Sequence, residues 1–77
     1  MEVTPRYTVD GDRLHEARED SKLSLEELSR RTGLDSEQLH SIERNEWTPG
    51  LTVLGMISRE LGLETHTLIE WDPLWIV

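Results

Sequence analysis

Five polar side chains stand close together at Ser36, Glu37, Gln38, His40 and Ser41. Their types suit reading a surface more than breaking a bond. A Gln carboxamide can pair bidentately with an adenine edge, a Glu carboxylate can accept from the amino group of cytosine, and Ser hydroxyls serve either way. His40, at the margin of the set, reads more readily as a solvated surface residue than as a base contact. Catalytic groupings are missing by contrast. The three histidines, His15, His40 and His66, fall in three separate helical segments without ligand spacing, and there is no Cys. No Gly-rich loop cradles a phosphate, and no nucleophile stands beside a base. The carboxylates belong to helix caps and solvated faces. The expectation is a protein that is no enzyme, with no metal site and no cofactor.

A chain of 77 residues supports one domain, with a core that must be efficient or shared with a partner. Leu dominates the apolar residues and Phe is absent, which suits packed helices. Without Cys there is no disulfide framework. No apolar run approaches a membrane span or a signal sequence, so a cytoplasmic protein is expected, with no membrane partner. The net charge is -8, and from Glu60 onward the charged residues are Glu60, Glu64, Glu70 and Asp72. Local field counts for more than the sum, so this does not exclude an anionic partner.

The elements that must position the polar set follow from caps and spacing. Residues 1–9 read as an arm, with Arg6 to Val9 extended after Pro5 or simply frayed. Asp10-Gly11-Asp12 offers caps for a first helix ending near Ser21, with Leu14 and Ala17 inward. Ser24-Leu25-Glu26-Glu27 is a capping box: the Ser24 hydroxyl accepts from the Glu27 N–H, and the Glu27 carboxylate returns to the Ser24 N–H. Leu23 and Leu28 flank it as a hydrophobic staple, and Gly33 closes that helix. Asp35-Ser36-Glu37-Gln38 is a second box, opening a third helix with Leu39 and Ile42 inward and Asn45 as terminator. After Pro49-Gly50, the repeat Leu51, Leu54, Ile57, Leu61 predicts an amphipathic fourth helix capped by Gly62. Thr65 to Glu70 is expected to form a short fifth helix, broken at Asp72-Pro73.

Two short helices joined by a tight Gly-containing turn make a helix-turn-helix. Over Leu14 to Leu68 the chain resembles the Cro and lambda-repressor class of helix-turn-helix proteins, the xenobiotic-response-element family. The matching stretches are Leu14-His15-Glu16-Ala17-Arg18-Glu19, Leu23 to Leu34, Leu39-His40-Ser41-Ile42-Glu43-Arg44-Asn45, Thr48-Pro49-Gly50-Leu51 and Leu61-Gly62-Leu63. The resemblance implies an all-α, compact five-helix bundle over residues 10–70, with short terminal strands left open. It also implies a third helix that enters the major groove and an ion pair between Arg18 and Glu43, which a bidentate Arg fork makes physically reasonable.

In that geometry the first turns of the third helix meet base edges, which selects Ser36, Glu37, Gln38, His40 and Ser41. Phosphate contacts are expected from Ser24, Arg44, Asn45 and Trp47, with Arg30 and Arg31 as helpers. Trp47 has an alternative role as a partly buried loop anchor. The tail, residues 71–77, is too apolar for a solvated end. Trp71, Leu74, Trp75, Ile76 and Val77 are candidates for a dimer contact, and Trp75-Ile76-Val77 could also pair as a strand with Tyr7 to Val9 or with its symmetry mate. The expected partner is a double-stranded DNA operator, bound by a homodimer acting as a transcriptional regulator. The rival expectation is a protein-interaction module, such as an antirepressor, antitoxin-like partner or adaptor. Leu25, where many relatives carry a backbone-contacting Gln, and Glu37, acidic toward the groove, both speak for the rival.

Overall fold

The computed structural model describes residues 7–71. Leu74, Trp75, Ile76 and Val77, expected at a dimer contact, lie outside the described residues, as does most of the N-terminal arm.

Strand β1, Tyr7–Val9, leads into helix α1, Gly11–Asp20, whose N-cap Asp10 accepts from the Arg13 N–H at 3.1 Å. Lys22, in the left-handed region at φ 59°, turns the chain toward helix α2, Leu25–Thr32. Ser24 Oγ accepts from the Glu27 N–H at 3.0 Å, the forward half of the expected box. The Glu27 carboxylate instead lies 2.9 Å from Arg30 Nη2, since a guanidinium one turn along offers a stronger, charge-assisted partner than an exposed amide. Gly33, at φ 80°, closes α2 in the left-handed conformation that a side chain disfavours.

Helix α3, Ser36–Glu43, follows after a short turn. Asp35 and Gln38 form the expected capping box, in which the Asp35 N–H donates to Gln38 Oε1 at 3.1 Å. Helix α4, Leu51–Glu60, buries Leu54, Ile57 and Ser58. Leu51 departs from expectation: it is 48% exposed, because the buried stripe begins one turn later, at Leu54.

The segment expected as a fifth helix divides. Thr65–Leu68 makes one 3-10 turn, and Ile69–Trp71 is strand β2. The fold is therefore mostly helical, with four α-helices and a two-stranded antiparallel sheet in which Tyr7 faces Trp71, Thr8 faces Glu70 and Val9 faces Ile69. Ile69–Trp71 occupies one edge of β1; Trp75, Ile76 and Val77, the strand expected to pair with Tyr7 to Val9, lie outside the described residues. The Asp10 N–H, donating to the Leu68 carbonyl at 2.8 Å, ties the sheet to the start of α1.

Leu14, Leu28, Leu39, Ile42, Ile57, Leu61 and Leu68 form the core, one or two from each helical element, with Leu23, Leu25, Leu34 and Leu63 packed around it. Each fully buried side chain of this size contributes about 1.5–3 kcal/mol relative to exposure. Among the described residues no helix is long and apolar enough to cross a membrane. Nor are three or more His, Cys, Asp or Glu side chains grouped there to hold a metal ion.

Candidate nucleic-acid interface

Helix α3 is gripped at both ends. At its C-terminal end Glu43 is buried and meets Arg18 from α1, with Nε 2.6 Å from Oε2 and Nη2 3.2 Å from Oε1. The same guanidinium donates through Nη1 to the Leu23 carbonyl at 2.8 Å, so one side chain links α1, the entry to α2 and the end of α3. His15 Nδ1 lies 2.9 Å from Glu43 Oε1. Burial alone would raise the Glu43 carboxyl, but the hydrogen bonds from Arg18 and His15 outweigh it and hold the group below its ordinary range. The bond to Glu43, opposed by burial, raises Arg18 further, so it remains a cation.

Beside this pair the backbones of α1 and α3 nearly touch. A Cβ on Gly11 would fall 2.4 Å from the Glu43 carbonyl oxygen and 2.6 Å from that of Ile42. The Gly11 N–H donates to Asn45 Oδ1 at 3.0 Å, and Asn45 holds the left-handed turn that ends α3, at φ 60°. Asn45 was expected at a phosphate; its amide oxygen serves the scaffold. At the other end of α3, Ser29 Oγ donates to the Leu34 carbonyl, closing the turn between α2 and α3.

With Leu39, Ile42 and Glu43 seated inward, the opposite stripe of α3 carries Glu37 and Ser41 and is continued by Arg44 at the C-cap, spaced four and three residues apart, with His40 beside them. Glu37 and His40 are exposed and Ser41 is half-buried. Ser36 lies nearer the core side and is half-buried. Gln38 is exposed, with its carboxamide oxygen engaged by the Asp35 N–H and its NH₂ left to donate.

The expected phosphate contacts are distributed more widely. Ser24 Oγ uses a lone pair on the Glu27 N–H and retains its hydroxyl proton for another acceptor. Arg30 pairs with Glu27, while Arg31 lies 3.9 Å from both Glu27 and Glu60, drawn toward α4. Arg44 Nε meets Glu46 Oε2 at 3.1 Å. Trp47 is 37% exposed and walls an open groove with Thr8, Val9, Asp10 and Glu70, which leaves room for either expected role. Trp71, expected at a dimer contact, is 45% exposed, its ring centroid 5.4 Å from that of Tyr7.

Three residues that the sequence reading passed over fix this surface. Gly11 acts through a missing Cβ, and nothing local in the sequence signals which backbone will approach it. Tyr7 is buried and donates its hydroxyl to the Pro49 carbonyl at 2.8 Å, a contact across 42 positions. His15 did carry a signal: it stands three residues before Arg18, on the same helical face.

Comparison with known proteins gives a consistent picture. A family model described as a helix-turn-helix domain matches residues 11–70. The HTH-type transcriptional regulator SinR of Bacillus subtilis (strain 168) is 36% identical over 61 residues, which make up 78% of this chain and 55% of that protein. The chain thus spans about half the length of that curated relative. The crystal structure of SinR, the master regulator for biofilm formation, in complex with DNA superposes with a TM-score of 0.70 at 34% identity, covering 74% of this chain and 92% of that one. The complex of SinR with the SinI protein gives a TM-score of 0.69 at 34% identity, covering 74% and 56%.

Proposed function

The chain belongs to the helix-turn-helix domain family, and from that footing we propose that it is a sequence-specific DNA-binding transcriptional regulator, a repressor, placing α3 in the major groove of an operator. The observation that carries this reading is the two-sided character of α3. Its inner side is locked by the core, Arg18 and the Gly11 contact; its outer side presents polar groups of which only Gln38, in the capping box, has a bonded role in the helix. Ser36, Glu37, Gln38, His40 and Ser41 read base edges, with Ser36 at the edge of the set. Ser24, Arg30, Arg31, Arg44, Asn45 and Trp47 supply phosphate contacts. The curated relative is a transcriptional regulator, and SinR has been solved in complex with DNA, which supports the assignment.

On this reading residues 10–70 are the DNA-binding unit of a cytoplasmic protein. It works as a two-fold dimer joined through the apolar residues 71–77, because paired recognition helices one turn of duplex apart match a palindromic site. A second reading rests on one specific likeness: SinR is also solved in complex with SinI, a protein partner. Under that reading the acidic chain meets a basic polypeptide instead of an operator.

Selection of duplexes from a random pool, with binding followed as salt is raised, separates the two. Operator binding yields one enriched sequence, with log K falling by about 0.9 for each phosphate neutralised per unit log salt. No enrichment, and no retained duplex at low salt, would overturn the assignment in favour of a protein partner.

A further inference from the structure

The three arginines among the candidate phosphate contacts are already occupied. Arg30 has Glu27, Arg31 has Glu27 and Glu60, and Arg44 has Glu46, each within 4.0 Å. A general excess of acid does not account for this. Arg13 and Arg59, which are exposed and not among the candidate phosphate contacts, have no carboxylate of another described residue within that distance.

In the Arg44–Glu46 pair two guanidinium nitrogens meet the carboxylate. A single carboxylate oxygen, Oε2, takes Nε at 3.1 Å and Nη2 at 2.5 Å. The pair is built into the turn that ends α3. Asn45 adopts φ 60°, the Asn45 N–H donates to the Ile42 carbonyl at 3.0 Å, and the Glu46 N–H donates to the Ser41 carbonyl at 2.8 Å. Asn45 is itself fastened to the Gly11 N–H. The backbone therefore delivers the Glu46 carboxylate beside a guanidinium on the outer stripe of α3. Both side chains are about half exposed, at 55% and 51%, so the pair adds little to stability and is open to exchange.

We infer that Glu46 is a resident phosphate surrogate: its carboxylate holds the Arg44 guanidinium in the free protein and yields it to a backbone phosphate when α3 docks in register. This rests on the DNA-binding reading and adds a specificity role to it. Sequence-independent association is driven almost wholly by phosphate neutralisation. A loosely held, hydrated phosphate competes poorly with a carboxylate already in contact, whereas a phosphate fixed by base readout does not have to wander into place. Glu46 thus suppresses loose binding more than it weakens the specific complex, which gives an acidic regulator a way to discriminate between duplexes.

The test uses the full chain with Glu46→Gln, Arg44→Gln, the double variant, and Glu64→Gln as a control for loss of one exposed charge elsewhere. Affinities are measured for a pool-selected duplex and a scrambled one across a salt series. Glu46→Gln is expected to tighten the scrambled duplex on the order of tenfold at low salt, with a smaller gain on the selected one, and to steepen the salt slope by about one phosphate. The gain should vanish when Arg44 is also replaced, and Glu64→Gln should not reproduce it. Equal effects from Glu46→Gln and Glu64→Gln, or a gain that survives in the Arg44→Gln background, would overturn the inference while leaving DNA binding intact. If no variant, nor the parent, retains either duplex, the DNA-binding reading fails and this inference with it.

Discussion

Arg18 and Glu43 are charged side chains placed where a small fold can least accommodate an unpaired charge. Both side chains are below 10% exposure, at 9% and 5%. Arg18→Ala strands the carboxylate, a change expected to cost about 3–5 kcal/mol and to appear as a large fall in urea midpoint. The pair also sets a pH dependence. Because the folded Glu43 carboxyl lies below its unfolded value, its contribution is fully present above about pH 4.3 and is lost as pH falls through the folded value. The difference in midpoint between the parent and Glu43→Gln, followed from pH 6 to pH 3, should therefore shrink on acidification. A constant difference would contradict the assigned pair. The sequence made this pair visible only through family likeness, since residues 18 and 43 lie 25 positions apart and no local pattern joins them. His15, at 52% side-chain exposure, touches the same carboxylate from a weaker, wetter position.

At the scale of elements, the junction of α1 with α3 decides how the outer stripe of α3 is aimed. Gly11→Ala places a methyl group against two carbonyl oxygens of α3, and backbone cannot step aside as a flexible side chain can. Overpacking of this kind costs about 1–3 kcal/mol or more. Gly55→Ala, in α4, provides the contrast: its added Cβ meets only Thr65 Oγ1 at 3.9 Å, an ordinary contact. That change should be neutral or stabilise by up to about 1 kcal/mol through helix propensity. Melting curves check both signs; a tolerated Gly11→Ala would mean the two helices are free to separate. The caps at Ser24 and Asp35 and the stop at Gly33 were legible because capping is local chemistry. The fifth element was not. Thr65 to Glu70 begins as a helical turn, but Ile69–Trp71 becomes a strand because β1, some sixty positions earlier, supplies its hydrogen-bonding partner. Leu51 fits the repeat of α4 and still lies exposed, since periodicity gives a direction and says nothing of where the neighbouring elements end.

For the whole molecule, a net charge of -8 is at odds with a polyanionic partner only while charge is counted without position. Arg30, Arg31 and Arg44 carry the positive charge proposed for the duplex, and each has a glutamate within 4.0 Å. What the fold adds to composition is this arrangement: one short helix, braced from behind by α1 and the core, with its polar stripe left to solvent. The measurement closest to that claim is a titration of the ¹⁵N-labelled chain with a pool-selected duplex, reading amide shifts residue by residue. The largest changes are expected at Glu37, Gln38, His40, Ser41 and Arg44, with a second group at the first turn of α2 around Ser24. Shifts gathered instead on the two-stranded sheet or the exposed face of α4, with α3 unmoved, would contradict it.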